Sequence, residues 1–205
     1  MKVDKVEPCV IADPDGWTTL RSDTVFSSTY VSVDEVNVRT PSQPERELSW
    51  TVVRRKSAVA VAAMTGDGKL VMVEQERVAP RRALTEFPAG QIDDVDNRFE
   101  PDVILATLQA ELREEVGYEI AEDAEVVSLG YYFTSQGFTD EHIYLFFVSK
   151  VVPLSTGNAP DASESILGTR LIEPATLKQM VASNEVNDSL TLALYARLTA
   201  RSILF

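Results

Sequence analysis

The 205 residues predict a mixed α+β domain. Three observations carry that expectation. Short segments rich in Val, Thr and aromatics fill roughly the first two thirds of the chain, the composition of half-buried strands. One amphipathic helical pattern, Asp102–Val116, falls among them. Two more helical patterns close the chain. This is not a regular strand–helix alternation, so a doubly wound parallel sheet is not expected.

In order, Trp17–Leu20, Val25–Ser28 and Tyr30–Val38 read as strands, and Thr40–Glu47, polar and with two prolines, as a loop. Strand character returns at Leu48–Val53. Ser57–Met64 is a run of small apolar residues, Thr65-Gly66-Asp67-Gly68 a tight turn, and Lys69–Glu74 a second strand, together a hairpin buried on at least one face. Val78–Asn97, with Pro80 and Pro88, reads as irregular. Pro101 suits the first turn of a helix and Gly117 its stop. Glu125–Phe133 and His142–Lys150 are expected strands around a turn-rich Thr134–Asp140, followed by a loop at Ser155–Ser165 and a last strand at Ile166–Ile172. Pro174–Ser183 and Ser189–Leu204 are helical, with Asp188 a suitable N-cap for the second.

Nineteen Lys+Arg stand against 32 Asp+Glu, a net charge of −13. A field of that sign repels nucleic acid and anionic membrane, so neither is an expected partner; metal cations are welcome, and a phosphorylated substrate needs a basic pocket or a bound metal. The single cysteine, Cys9, excludes an intrachain disulfide and a Cys-rich zinc cluster, and the single histidine, His142, excludes a His–His metal site. Neither is expected to do chemistry. There is no Gly-x-Ser-x-Gly turn for a serine nucleophile. The N-terminus lacks the apolar core of a signal peptide, and the longest apolar runs, Ala58–Met64 and Ile143–Val148, are strand-sized. A soluble cytoplasmic protein is the simplest expectation.

At 100° per residue, Ile104, Leu105, Leu108, Leu112 and Val116 form one apolar stripe along the predicted helix. Glu115 falls inside that stripe, with Glu111 and Glu114 on its edge. Spacings of three and four make the carboxylates neighbours. Two readings stay open on geometry: a solvated acidic edge flanked by Arg113, or a divalent-cation site, in which hard oxygen ligands without His or Cys suit Mg²⁺ or Mn²⁺ rather than Zn²⁺.

Glu86-Phe87-Pro88-Ala89-Gly90-Gln91-Ile92-Asp93-Asp94, followed by Ala110-Glu111-Leu112-Arg113-Glu114-Glu115-Val116-Gly117-Tyr118, resembles the Nudix box, in the form typical of ADP-ribose and nucleoside-diphosphate-sugar pyrophosphatases. Gln75-Glu76-Arg77 resembles that subfamily's Gln-aromatic-Arg, with Glu76 in the aromatic's place. Ser135–Glu141 and Glu185–Ala193 resemble its later segments, so the likeness runs over roughly residues 17 to 200. It implies a Nudix fold, with an N-terminal β region (1–55) that pairs with a second subunit, ahead of a catalytic domain (56–205).

The resemblance further implies Mg²⁺-dependent hydrolysis of the diphosphate of ADP-ribose or a related nucleoside-diphosphate sugar by a homodimer. Glu111, Glu115 and the Ala89 carbonyl would hold the metal, and Glu114 would be a further ligand or a supporting group. Glu164, with Glu141 as second choice, would be the general base. Trp17 and Trp50 would stack the base, and Arg55 and Arg77 would contact the phosphates. Two departures stand out. Gly90 to Ala110 spans 20 positions where the family has 14, placing six extra residues within Val95–Pro101. The box arginine, which orients a catalytic glutamate in the family, is Ala110, with Arg113 and Arg98 as possible substitutes; the early box glutamate falls on Asp102, beside Glu100. Those departures motivate a rival expectation, a Nudix-fold protein that binds a nucleotide sugar or regulates a partner without turnover.

Overall fold

A computed structural model describes residues 2–92, 100–159 and 164–204. The larger sheet holds β1 (Lys2–Val3), β5 (Ala58–Thr65), β6 (Leu70–Arg77), β10 (Glu125–Phe133), β11 (His142–Pro153) and β12 (Ile166–Ile172), in the order β1-β10-β11-β5-β6-β12. Three short strands join it: β7 (Arg82–Glu86) on β6, β8 (Ala89–Gln91) on β5, and β9 (Tyr118–Ile120) on β11. β1–β10 and β11–β5 are parallel and the remaining pairs antiparallel, so the sheet is mixed.

The apolar run of β5 explains the layers. Side chains alternate across a strand. Val59, Val61 and Ala63 enter one core cluster, and Ala58, Ala60 and Ala62 the other. α1 (Pro101–Glu114) covers the first face with Ile104, Leu108 and Leu112, and Val116 follows just past its end. α2 (Pro174–Ala182) and α3 (Ser189–Ala200) cover the second with Leu177, Met180, Leu194 and Leu198. Each such buried leucine contributes about 1.5–3 kcal/mol of transfer free energy. Asp188 caps α3, accepting the Thr191 N–H at 2.7 Å. Gly117 ends α1's last turn with φ +72°, and a Cβ there would meet the Asn158 amide nitrogen at 2.6 Å, so both conformation and space demand glycine.

β2 (Thr18–Ser27), β3 (Ser32–Thr40) and β4 (Gln43–Arg54) make a separate antiparallel sheet. It is tied to the segment before β11: Val53 N–H donates to the Phe138 carbonyl at 2.8 Å, and Arg54 bridges Asp34 (3.0 Å) and Asp140 (2.8 Å).

Four expectations need correction. Trp17–Leu20 and Val25–Ser28 fall in one strand, because β3 also pairs with the polar Arg21–Thr24 between them, with a register shift on either side. Thr40–Glu47 is not a loop: Thr40 pairs with Gln43 across a two-residue turn, and Pro44 is accommodated because β4 is an edge strand. Val78–Asn97 holds β7 and β8 as far as it is described. β1 and β9 had no pattern to announce them, being two and three residues long. Of the expected six-residue insertion within Val95–Pro101, all but Glu100 and Pro101 lies outside the described residues. Among the described residues, no helix is long and apolar enough to cross a membrane.

Candidate active site

The C-terminal turn of α1 brings the carboxylates to the sheet. Leu108 and Leu112 turn one side of the helix into the core, which sets Glu111 beside it and buries Glu115 to 1% exposure. Glu164 arrives from the segment that leads into β12. Glu111, Glu115 and Glu164 each offer a carboxylate oxygen, all within 4.8 Å of one another. Below them run Pro88 and the start of β8, Ala89-Gly90. The Ala89 N–H donates to Glu115 Oε2 at 2.9 Å. Gly90 lies directly under Glu111: a Cβ at that position would overlap the Glu111 carboxylate.

Burial lifts the Glu115 pKa to about 8, and the charges of Glu111 and Glu164 push the same way. The Ala89 N–H and the Arg77 guanidinium pull against it. Three carboxylates so close, one of them denied water, fit a divalent cation by charge and by donor hardness. A bound Mg²⁺ or Mn²⁺ would relieve the repulsion and neutralise the phosphates of a ligand.

A second layer holds this arrangement. Arg77 Nε donates to Glu86 Oε2 at 2.7 Å. Desolvation raises the pKa of Glu86 and of Asp188, while Arg77 lowers both. The Phe87 N–H donates to Thr191 Oγ1 at 3.2 Å, so α3 anchors the segment that presents Ala89. The exposed carbonyls ending α1 also find donors: the Glu114 carbonyl accepts from Ala159 N (3.0 Å) and the Glu115 carbonyl from Asn158 Nδ2 (3.2 Å).

The structure gathers Glu111, Glu115, Glu164 and Ala89, and sets Arg77 beside them. Glu114 is exposed and outside the trio. Asp102 is exposed at the far end of α1, about 13 Å of helix away from Glu111. Glu141 is held by Arg55 (2.9 Å) and Thr134 (2.7 Å), away from the trio. Arg113 does not replace the missing arginine: it is exposed and reaches Glu119 at 3.9 Å. Arg98 lies outside the described residues. Trp17 and Arg55 line a cavity of about 1030 Å³ between the three-stranded sheet and the larger one, with Tyr30, Arg54, His142 and Tyr144. The trio does not line that cavity. Trp50 sits apart at a recess of about 220 Å³ and donates its Nε1–H to the Gly137 carbonyl at 3.1 Å. A single chain does not bring the two tryptophans together.

Sequence reasoning missed the Arg77–Glu86 pair, although both residues stood in motifs it quoted, and the role of Thr191 beneath Phe87. It also missed the Arg54–Asp34–Asp140 bridge, whose members lie 20 and 86 positions apart and leave no periodic trace.

A family model for the NUDIX domain matches residues 54–192. The chain is 30% identical over 175 residues to the ADP-ribose pyrophosphatase of Bacillus subtilis (strain 168), covering 84% of this chain and 87% of that one. It is 36% identical over 130 residues to the methanol dehydrogenase activator of Bacillus methanolicus, covering 62% of this chain and 63% of the activator. It is 32% identical over 131 residues to the ADP-ribose pyrophosphatase of Mycobacterium tuberculosis (strain ATCC 25618 / H37Rv), covering 64% of this chain and 58% of the other. A crystal structure of an ADP compounds hydrolase superposes with a TM-score of 0.70 at 18% identity, covering 91% of this chain and 94% of that one, a likeness of fold. The chain therefore belongs to the Nudix hydrolase family, in its ADP-ribose pyrophosphatase-like branch.

Proposed function

We propose that the protein hydrolyses the diphosphate linkage of ADP-ribose or a related nucleoside-diphosphate sugar with Mg²⁺, or Mn²⁺ in its place. The observation that carries this reading is the trio of Glu111, Glu115 and Glu164 gathered over the Pro88-Ala89-Gly90 segment. Glu111, Glu115 and the Ala89 carbonyl would hold the cation, with one Glu164 oxygen also turned to it; when bound, it would neutralise the diphosphate and lower the pKa of water. Glu164 takes the proton from the attacking water. The water oxygen joins one phosphorus, and the other phosphate leaves with the bridging oxygen, giving AMP and ribose 5-phosphate from ADP-ribose. Glu114, on the exposed flank, stays outside this set.

Arg55, on the wall of the large cavity, and Arg77, beside the trio, would contact the ligand's phosphates. Both already share a carboxylate, Glu141 and Glu86, so each guanidinium is pre-aimed and keeps donors to spare. Trp17 stacks the base in the large cavity. Trp50, at its separate recess, would stack a base in the site of a second subunit if the protein is a homodimer. The exposed Leu20, Val25 and Phe26 of β2 supply apolar contact area for it. The lone cysteine and acidic surface suit the cytoplasm.

The test is release of AMP from ADP-ribose and from a panel of nucleoside-diphosphate sugars, with Mg²⁺ and with EDTA, for wild type and Glu115→Gln. Mg²⁺-dependent turnover, lost by at least about a hundredfold in the variant, is expected. No metal-dependent turnover on any member of the panel would overturn the assignment. Similarity to the methanol dehydrogenase activator favours a second role, stimulation of a dehydrogenase. Stimulation that persists in Glu115→Gln would separate that role from hydrolysis.

A further inference from the structure

β12 does not run in simple register with β6. Ile172, Leu171, Arg170, Thr169 and Gly168 stand opposite Leu70, Val71, Met72, Val73 and Glu74, but the next pair is Ile166 with Gln75. Leu167 is therefore an extra, bulged residue, and it is 57% exposed. Just beyond the bulge, two bonds join the same two residues. The Glu76 N–H donates to the Ser165 carbonyl at 2.9 Å, and Ser165 Oγ donates to Glu76 Oε2 at 2.6 Å.

The faces follow from two-residue alternation. Gln75 is buried and Glu76 exposed. Ile166, opposite Gln75, packs against the core on the α1 side, while Ser165 is exposed beside Glu76. Glu164, one residue further, returns to the α1 side, where Glu111 and Glu115 lie. Without the bulge, Leu167 would stand opposite Gln75 and Ile166 opposite Glu76. Glu164 would then fall opposite Val78, on the face away from α1. A one-residue slip moves every side chain to the other face. Apolar burial does not choose between the two registers, because leucine or isoleucine fills the inner position equally well, and the unbulged register would even cover Leu167.

We propose that Glu76 is a positioning residue for Glu164: its clamp on Ser165 holds the bulged register that turns Glu164 toward Glu111 and Glu115. This rests on the trio being the cation site. It also gives a reason for a carboxylate where the subfamily has an aromatic residue, since an aromatic ring cannot accept the Ser165 hydroxyl in this way.

The test follows Mn²⁺ binding by loss of the free-ion EPR signal, in wild type, Glu76→Ala, Ser165→Ala, their double variant, Glu76→Gln and Glu164→Gln. The two alanine variants should each bind Mn²⁺ about three- to tenfold more weakly, and the double variant no worse than either, since both remove one bond. Glu76→Gln keeps the acceptor and should restore wild-type affinity. In a Glu164→Gln background, Glu76→Ala should add nothing. Wild-type affinity in Glu76→Ala overturns the proposal, and so does an equal loss in the Glu164→Gln background. A protein that binds Mn²⁺ through Glu164 but turns over no nucleoside diphosphate would sink the substrate assignment and leave the clamp standing.

Discussion

Replacing Glu115 by glutamine should stabilise the metal-free protein, and more so as pH rises. Burial and its two acidic neighbours raise the Glu115 pKa from 4.5 to about 8. A raised folded-state pKa means that the fold keeps the proton longer than the unfolded chain does. The associated stability is therefore complete below about pH 4.5 and is lost progressively as pH climbs to about 8. Each pH unit in that window costs about 1.4 kcal/mol, so the loss approaches roughly 3 kcal/mol at pH 7 and 5 kcal/mol at the top. The side chain is 1% exposed, so water does little to screen this. Glutamine keeps an oxygen for the Ala89 N–H, offers its amide protons to Glu111 and Glu164, and carries no titrating charge. For a chain of this size, 1 kcal/mol moves Tm by about 2–4 °C. Thermal melts in EDTA should then put Glu115→Gln within about 3 °C of wild type at pH 5 and roughly 10–20 °C above it at pH 8. Adding Mn²⁺ should raise wild type and leave the variant unmoved. A Tm gap that does not change with pH, or a variant that melts below wild type at pH 8, would refute the burial argument.

Three further perturbations test neighbouring features. Gly90→Ala should leave the fold intact but displace the Glu111 carboxylate, lowering Mn²⁺ affinity by at least about tenfold in the same EPR titration. Thr191→Val preserves shape but strands the Phe87 N–H, and should cost about 1–3 kcal/mol in a urea melt, with a fall in turnover as the Ala89 segment loosens. Arg54→Ala removes the cation that joins Asp34 to Asp140 and leaves Asp34 only its Thr24 and Ser22 hydroxyl donors, and hydrogen exchange should speed at Val53, where the three-stranded sheet meets the Phe138 segment, before it speeds in β5.

Legibility in the sequence followed the size of the physical signal. The α1 stripe was legible because 3.6-residue periodicity over four turns leaves few alternatives, and Glu115 inside it was legible as a charge in the wrong place. The strands with long apolar runs, β5 and β11, were legible too, though not their parallel pairing. β7 and β8 were not, because two prolines and five-residue or shorter lengths hide alternation. Leu48–Val53 was legible as the second half of β4, but its first half was hidden by Pro44, which an edge position makes harmless. The contribution of Glu164 came from resemblance alone, since no local pattern announces that a loop will fold back onto a helix some fifty residues earlier. The bulge at Leu167 was invisible because both of its registers bury an aliphatic side chain.

The absence of the box arginine at Ala110 invites one more experiment. An arginine restored there would stand four residues before Glu114 and three before Arg113 on the helix surface. Glu114 is exposed and outside the trio, so the new ion pair would form in water, where such pairs contribute at most about 1 kcal/mol. Glu115 already takes its orientation from the Ala89 N–H, which β8 and Thr191 hold in place, and Arg77 already lends positive charge nearby. Ala110→Arg should therefore change turnover by less than about threefold. A gain of thirtyfold or more would mean that the backbone donor is a poor orienter, and that the helix surface, not the segment beneath it, governs how this site aligns its carboxylates.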